Sequence, residues 1–112
     1  MPARNAQQRS HSIYVIELDK AVLQIKRFRE ANPGYREGMP CVYVGMTCRT
    51  PEERFRQHIS GYKAARLAHR FGIRLKPRQY RAFNPMTRAE AKYMEVEKAR
   101  RLRNRGYGVW QN

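Results

Sequence analysis

The sequence predicts an α/β domain of the α+β kind, with about three strands flanked by helices, on three observations. Two short β-rich apolar runs, Ile13-Tyr14-Val15-Ile16 and Cys41-Val42-Tyr43-Val44, have the length and composition of strands. Two capping-box sequences, Thr50-Pro51-Glu52-Glu53 and Thr87-Arg88-Ala89-Glu90, each open a helix. At 112 residues the chain has room for one compact domain with one modest core, so strands and helices must share it.

Taken in order, Met1–Ser10 is polar and aperiodic and reads as a loose basic arm, which leaves residues 11–112 as the single domain. His11–Leu18 is the first strand, ended by Asp19. From Lys20 to Ala31, Val22, Ile25 and Phe28 recur at helical spacing, Asp19 can cap the start, and Asn32-Pro33-Gly34 supplies a stop. This is a helical excursion between two strands. Pro40 precedes the second strand, whose closing Gly45 would let the backbone turn tightly or approach a ligand. Thr50 caps a helix with Pro51 at its first position, running to about Ser60. After Gly61, Ala64, Leu67, Ala68 and Phe71 suggest a short helix closed by Gly72. Alternation at Tyr80–Phe83 allows a third strand, limited or placed on an edge by Pro77. The second capping box opens a helix to about Arg105, stopped by Gly106. The tail with Tyr107, Val109 and Trp110 is apolar enough to pack back as an extended segment.

With 24 Lys+Arg against 9 Asp+Glu, the formal charge of +15 on so small a domain calls for a polyanion. Nucleic acid explains it best, because each phosphate neutralised releases condensed counterions. Membrane is disfavoured: no stretch approaches the roughly 18 apolar residues of a spanning helix, and Met1–Ser10 lacks a signal-like apolar run. A soluble cytoplasmic protein is expected, with Cys41 and Cys48 as free thiols. His11, His58 and His69 are too scattered for structural zinc.

Five residues form a pattern: a tyrosine in each strand (Tyr14, Tyr43), Arg54 and His58 four apart on one helix, and Glu95 on the last helix. They resemble the GIY-YIG nuclease family. Ser12-Ile13-Tyr14 stands for its first motif, Tyr43-Val44-Gly45 for its second, Arg54-Phe55-Arg56-Gln57-His58 for its helix and Glu95 for its acidic position. Tyr43 precedes Arg54 by eleven residues and His58 by fifteen, close to the family spacing. The resemblance implies a small antiparallel sheet and a metal-dependent endonuclease acting on nucleic acid, DNA in the first place. Departures are Ser12 in place of glycine and the 28 residues between Tyr14 and Tyr43, where the family has a short hairpin.

In the roles so implied, Glu95 holds Mg2+ or Mn2+, since a carboxylate is a hard oxygen ligand. Glu95 shares the domain-facing stripe of Ala91, Met94, Ala99 and Leu102, whereas Glu90 serves the capping box and Glu97 pairs with Arg101. Arg54 clamps the phosphate with a fork that lysine lacks. His58 accepts a tyrosine's proton or orients the attacking water, and Tyr14 or Tyr43, favoured as phenolate by its neighbours, activates that water. Gly45, Arg49, Lys63, Arg66 and Arg101 are expected along the nucleic acid, with Tyr62 or Tyr80 as stacking partners and Asn112 as a late asparagine of the family kind. The alternative is a catalytically inactive nucleic-acid-binding module with the same fold.

Overall fold

The computed structural model describes residues 8–111; most of the predicted arm, and Asn112, lie outside the described residues. β1 (Ser12–Leu18) and β2 (Cys41–Thr47) pair antiparallel from Ser12↔Thr47 to Leu18↔Cys41. The long connection between them therefore leaves the pairing of the two tyrosine strands intact. It holds a 3₁₀ turn, Lys20–Gln24, with the Asp19 carboxylate accepting from the Ala21 amide, and then the five-residue helix α1 (Lys26–Glu30). The single helix expected here is interrupted at Ile25, whose extended backbone (φ −85°, ψ 116°) lets Phe28 reach the core.

α2 (Pro51–Ser60) begins with the predicted capping box, complete in both directions, and ends at Gly61 with φ +87°, where a side chain would be strained. α3 (Arg66–Phe71) leads without a loop into β3 (Gly72–Leu75), which pairs antiparallel with β1. Gly72 permits that junction, because a Cβ there would sit 2.4 Å from the Ala68 carbonyl oxygen. The third strand is thus not at Tyr80–Phe83. Pro77 instead opens a 3₁₀ turn, Pro77–Gln79, whose bonds fold the chain back and turn Tyr80 into the core.

α4 (Arg88–Asn104) starts with the second capping box, and Gly106 follows it with φ +92°. The apolar tail then forms β4 (Gly108–Trp110), parallel to β2. Among the described residues the sheet therefore has four strands in the order β3-β1-β2-β4 and is mixed, where about three antiparallel strands were expected. A parallel partner for β2 requires a long crossover, and the run from α2 through α4 supplies it.

Cross-strand pairing puts Tyr14, Ile16, Leu18, Cys41, Tyr43 and Gly45 on one face of the sheet. α2 and α3 cover that face: His58 bonds Tyr14, and Ile59 and Ile16 flank Gly72 together. Ile13, Val15, Val42, Val44 and Val109 on the other face are equally buried, which assigns that face to α4, the helix in contact with β2, β4 and β1. Each such aliphatic burial contributes roughly 1.5–3 kcal/mol, so the two-sided core anchors the strands that carry both tyrosines. Among the described residues, no helix is long and apolar enough to cross a membrane.

Candidate active site

Register brings the tyrosines together. Tyr14 lies opposite Gly45 and Tyr43 opposite Ile16, so the two rings are diagonal neighbours with centroids 6.1 Å apart. Gly45 is a mid-strand residue and does not close β2; its Cβ would meet the Tyr14 hydroxyl at 2.4 Å. Glycine is required there so that the Tyr14 ring can lie flat over the strand.

His58, fully buried on α2, completes the cluster, with its Nε2 2.8 Å from the Tyr14 hydroxyl and its ring edge-on to Tyr43 at 5.2 Å. The Ala65 amide donates to Nδ1 at 3.2 Å. An amide N–H only donates, so Nδ1 carries no proton and the neutral ring must carry its hydrogen on Nε2. Burial, and then the Arg54 charge, hold the His58 pKa down at about 4. His58 is therefore a neutral donor to Tyr14 and does not accept its proton, as the sequence had suggested.

Tyr14 itself is held protonated. Burial raises its pKa most, negative charge on Tyr43 raises it further, and Arg54 only opposes these. Without a metal, at 1% exposure, loss of water at Tyr14 outweighs the nearby guanidinium. Arg54 projects from the same face of α2 as His58 and is held at both ends of its fork, donating to the Gln57 amide oxygen at 3.0 Å and the Lys63 carbonyl at 2.9 Å. Lys63 takes a left-handed backbone (φ +46°) to present that carbonyl, a conformation that costs a non-glycine residue energy.

Glu95 is half-buried on the α4 stripe with buried Ala91, Ala99 and Leu102. Burial raises its pKa, against the pull of Lys92 and of the Met46 backbone N–H. Glu17, Glu30, Glu53 and Glu97 have ion pairs; among the described residues no cation lies within 4.0 Å of Glu95, nor of Asp19, Glu37, Glu52 and Glu90, and what marks Glu95 is the burial that raises its pKa. Met46 follows Gly45 on a stretch of β2 that extends past β4, which pairs only with Cys41–Tyr43. The Met46 backbone N–H that acts on Glu95 is one residue past Gly45, against which the Tyr14 hydroxyl lies. Tyr14, Tyr43, Arg54 and His58 thus meet directly, and Glu95 borders them across one strand edge.

Among the described residues no three His, Cys, Asp or Glu side chains gather as a metal cage. A lone desolvated carboxylate without a cation partner does fit magnesium or manganese, which keep several waters and take substrate phosphate oxygens as ligands.

The remaining predicted contacts are dispersed. Arg49 pairs with Glu53 at 4.0 Å, Lys63 lies over the Tyr62 ring, Arg66 is exposed on α3, and Arg101 is tied to Glu97 at 2.9 Å. Tyr80 cannot stack on a base, because it is buried and its hydroxyl has no partner among the described residues. Asn84 was not expected at the site. Its side chain accepts from the Ile13 amide at 3.0 Å and donates to the Ile13 carbonyl at 2.8 Å, fixing β1 one residue before Tyr14. Only the Asn84-Pro85 punctuation could have pointed to it. No family model, no characterised protein and no solved structure matches the chain.

Proposed function

We propose that the protein is a metal-dependent endonuclease of the GIY-YIG kind that hydrolyses phosphodiester bonds in DNA. The observation that carries this reading is the meeting of Tyr14, Tyr43, Arg54 and His58 beside a half-buried carboxylate with no cation within 4.0 Å among the described residues. The charge of +15 supports a polyanionic substrate.

Arg54, already fixed at Gln57 and Lys63, holds two phosphate oxygens and offsets the charge that builds on them during attack. Glu95 holds the Mg2+ or Mn2+, which when bound supplies positive charge to a phosphoryl oxygen and acidifies water. His58 donates to Tyr14, and Tyr14, kept protonated, turns its own hydrogen toward Tyr43. We therefore assign the attacking water to Tyr43. As its phenolate, Tyr43 takes a proton from the attacking water, the water oxygen bonds to phosphorus, the P–O ester bond breaks, the departing oxygen takes a proton from solvent, and Tyr43 then returns its proton to solvent. We place the reaction in the cytoplasm, where free thiols such as Cys41 and Cys48 persist.

One observation favours a second reading: Tyr14 and Tyr43 are 1% and 2% exposed, which suits core packing in a noncatalytic nucleic-acid-binding module. The deciding experiment offers branched, flapped, linear and single-stranded DNA and RNA with Mg2+ or with chelator, to wild type and Glu95→Ala. Metal-dependent cleavage of DNA, absent in Glu95→Ala, is expected. Binding without cleavage across the panel would establish the second reading, and chelator-resistant cleavage would overturn the role of Glu95.

A further inference from the structure

We propose that the groove between the Phe83–Met86 turn and the first half of α4 is a stacking site for unpaired nucleobases, so that the preferred substrate is a duplex with a single-stranded end or flap. The inference rests on the nucleic-acid reading above and names its substrate class.

The groove measures about 490 Å3, a size suited to a small ligand. Phe83, Met86, Ala89, Tyr93 and Met94 line it together with Arg9. Phe83 and Tyr93 are 39% and 65% exposed, rings from two different elements that the core leaves partly uncovered. Methionine thioethers between them adapt to flat aromatic surfaces. Aromatic platforms with cations nearby are what a single strand uses: the bases stack, and the phosphates need positive charge.

The cations are present. The Lys98 ammonium lies 5.8 Å from the Phe83 ring centre, and Arg9 is among the residues that line the cavity. Glu90 is the one carboxylate among the lining residues, and it is engaged in capping, accepting from the Thr87 amide at 2.9 Å. This charge favours a nucleic-acid strand over an apolar peptide, and the charge of +15 on each chain disfavours a second copy. The groove also adjoins the candidate active site. Asn84, next to Phe83, grips the backbone of Ile13 beside Tyr14, and Met94 is followed by Glu95.

The test measures binding of full-length protein in chelator, where metal-dependent cleavage is silent. Fluorescently labelled DNA is blunt, or carries a short thymidine overhang, or carries the same overhang made of abasic nucleotides. Wild type should bind the thymidine overhang about tenfold tighter than the blunt or abasic DNA. Phe83→Ala and Tyr93→Ala should abolish that preference with blunt-duplex affinity kept, and Tyr93→Phe should retain it. Equal affinity for base-bearing and abasic overhangs, or equal weakening of blunt and overhang DNA in the alanine variants, overturns the proposal. A dimer in sedimentation that Tyr93→Ala dissociates would give the groove to a second copy and also overturn it. Absence of binding to every DNA would instead remove the nucleic-acid reading itself.

Discussion

Glu95 and Glu97 lie two residues apart on α4, about 200° around the helix from each other, and their surroundings push them in opposite directions. Arg100 first, and then Arg101, hold the Glu97 carboxyl down at about 2. Burial raises Glu95, which has a single amine, Lys92, and the Met46 amide to offset the loss of water. Among the described residues other carboxylates also lack an ion pair, but Glu95 is the one whose pKa burial raises. The same helix thus carries one acid whose positive charge is supplied from within and one suited to receiving it from outside.

The largest expected effect comes from removing the charge of that carboxylate. Glu95→Gln should lower cleavage by about a thousandfold or more, the scale on which metal-supplied charge acts. Its stability should move the other way. A raised carboxyl pKa means that the folded state holds its proton more tightly than the unfolded chain, so ionisation above that pKa penalises the fold. Without metal at neutral pH, Glu95→Gln should therefore unfold at a higher temperature than wild type. Lower stability, or undiminished cleavage, would break the contrast with Glu97.

Next in size is Arg54→Ala, which removes a guanidinium fixed at two points and should cost about 10²–10³ in kcat. Arg54→Lys should recover little of it, because one ammonium cannot reproduce the fork.

His58 tests the neutral side of the cluster through pH. Its folded pKa of about 4 lies below the ordinary 6.5, so between these values the unfolded chain binds the proton more readily. Its contribution is fully present above 6.5 and is lost as pH falls toward 4. Denaturant midpoints at constant salt should fall over that window by the equivalent of about 3 kcal/mol. His58→Gln should flatten the slope. Smaller again is Tyr14→Phe, which strands the buried His58 Nε2–H and should cost about 1–3 kcal/mol in denaturant unfolding. An unchanged midpoint would mean that this hydrogen finds another partner.

Much of the scaffold was legible in the sequence because its signals are local. β1 and β2 announce themselves by buried β-branched runs, and Thr50–Glu53 and Thr87–Glu90 form the capping boxes their spacing predicts. β3 escaped because it is a four-residue edge strand with exposed Ile73 and Arg74, so no apolar alternation marks it. β4 has only three residues and depends on β2, its distant parallel partner. In the candidate site, the i, i+4 spacing put Arg54 and His58 on one face, and the tyrosines share a face by register. Their protonation was not legible. It turns on the Ala65 amide seven residues past His58 and on how deeply Tyr14 is buried, and neither leaves a pattern in residue types.

The smallest expected effect is the sharpest control. Glu97→Gln removes a carboxylate bonded to both Arg100 and Arg101, so it frees two guanidiniums on a surface that is already strongly basic. If only the cation-poor acid of α4 serves chemistry, cleavage should stay within about twofold of wild type, the range of an ordinary surface substitution. Affinity for duplex DNA should rise slightly at low salt and the gain should fade as salt increases, because the released charges act through screened, long-range attraction. A loss of cleavage comparable to that of Glu95→Gln would mean that the two acids act on one centre, and the opposite pKa shifts would then describe a shared site with two differently charged ligands.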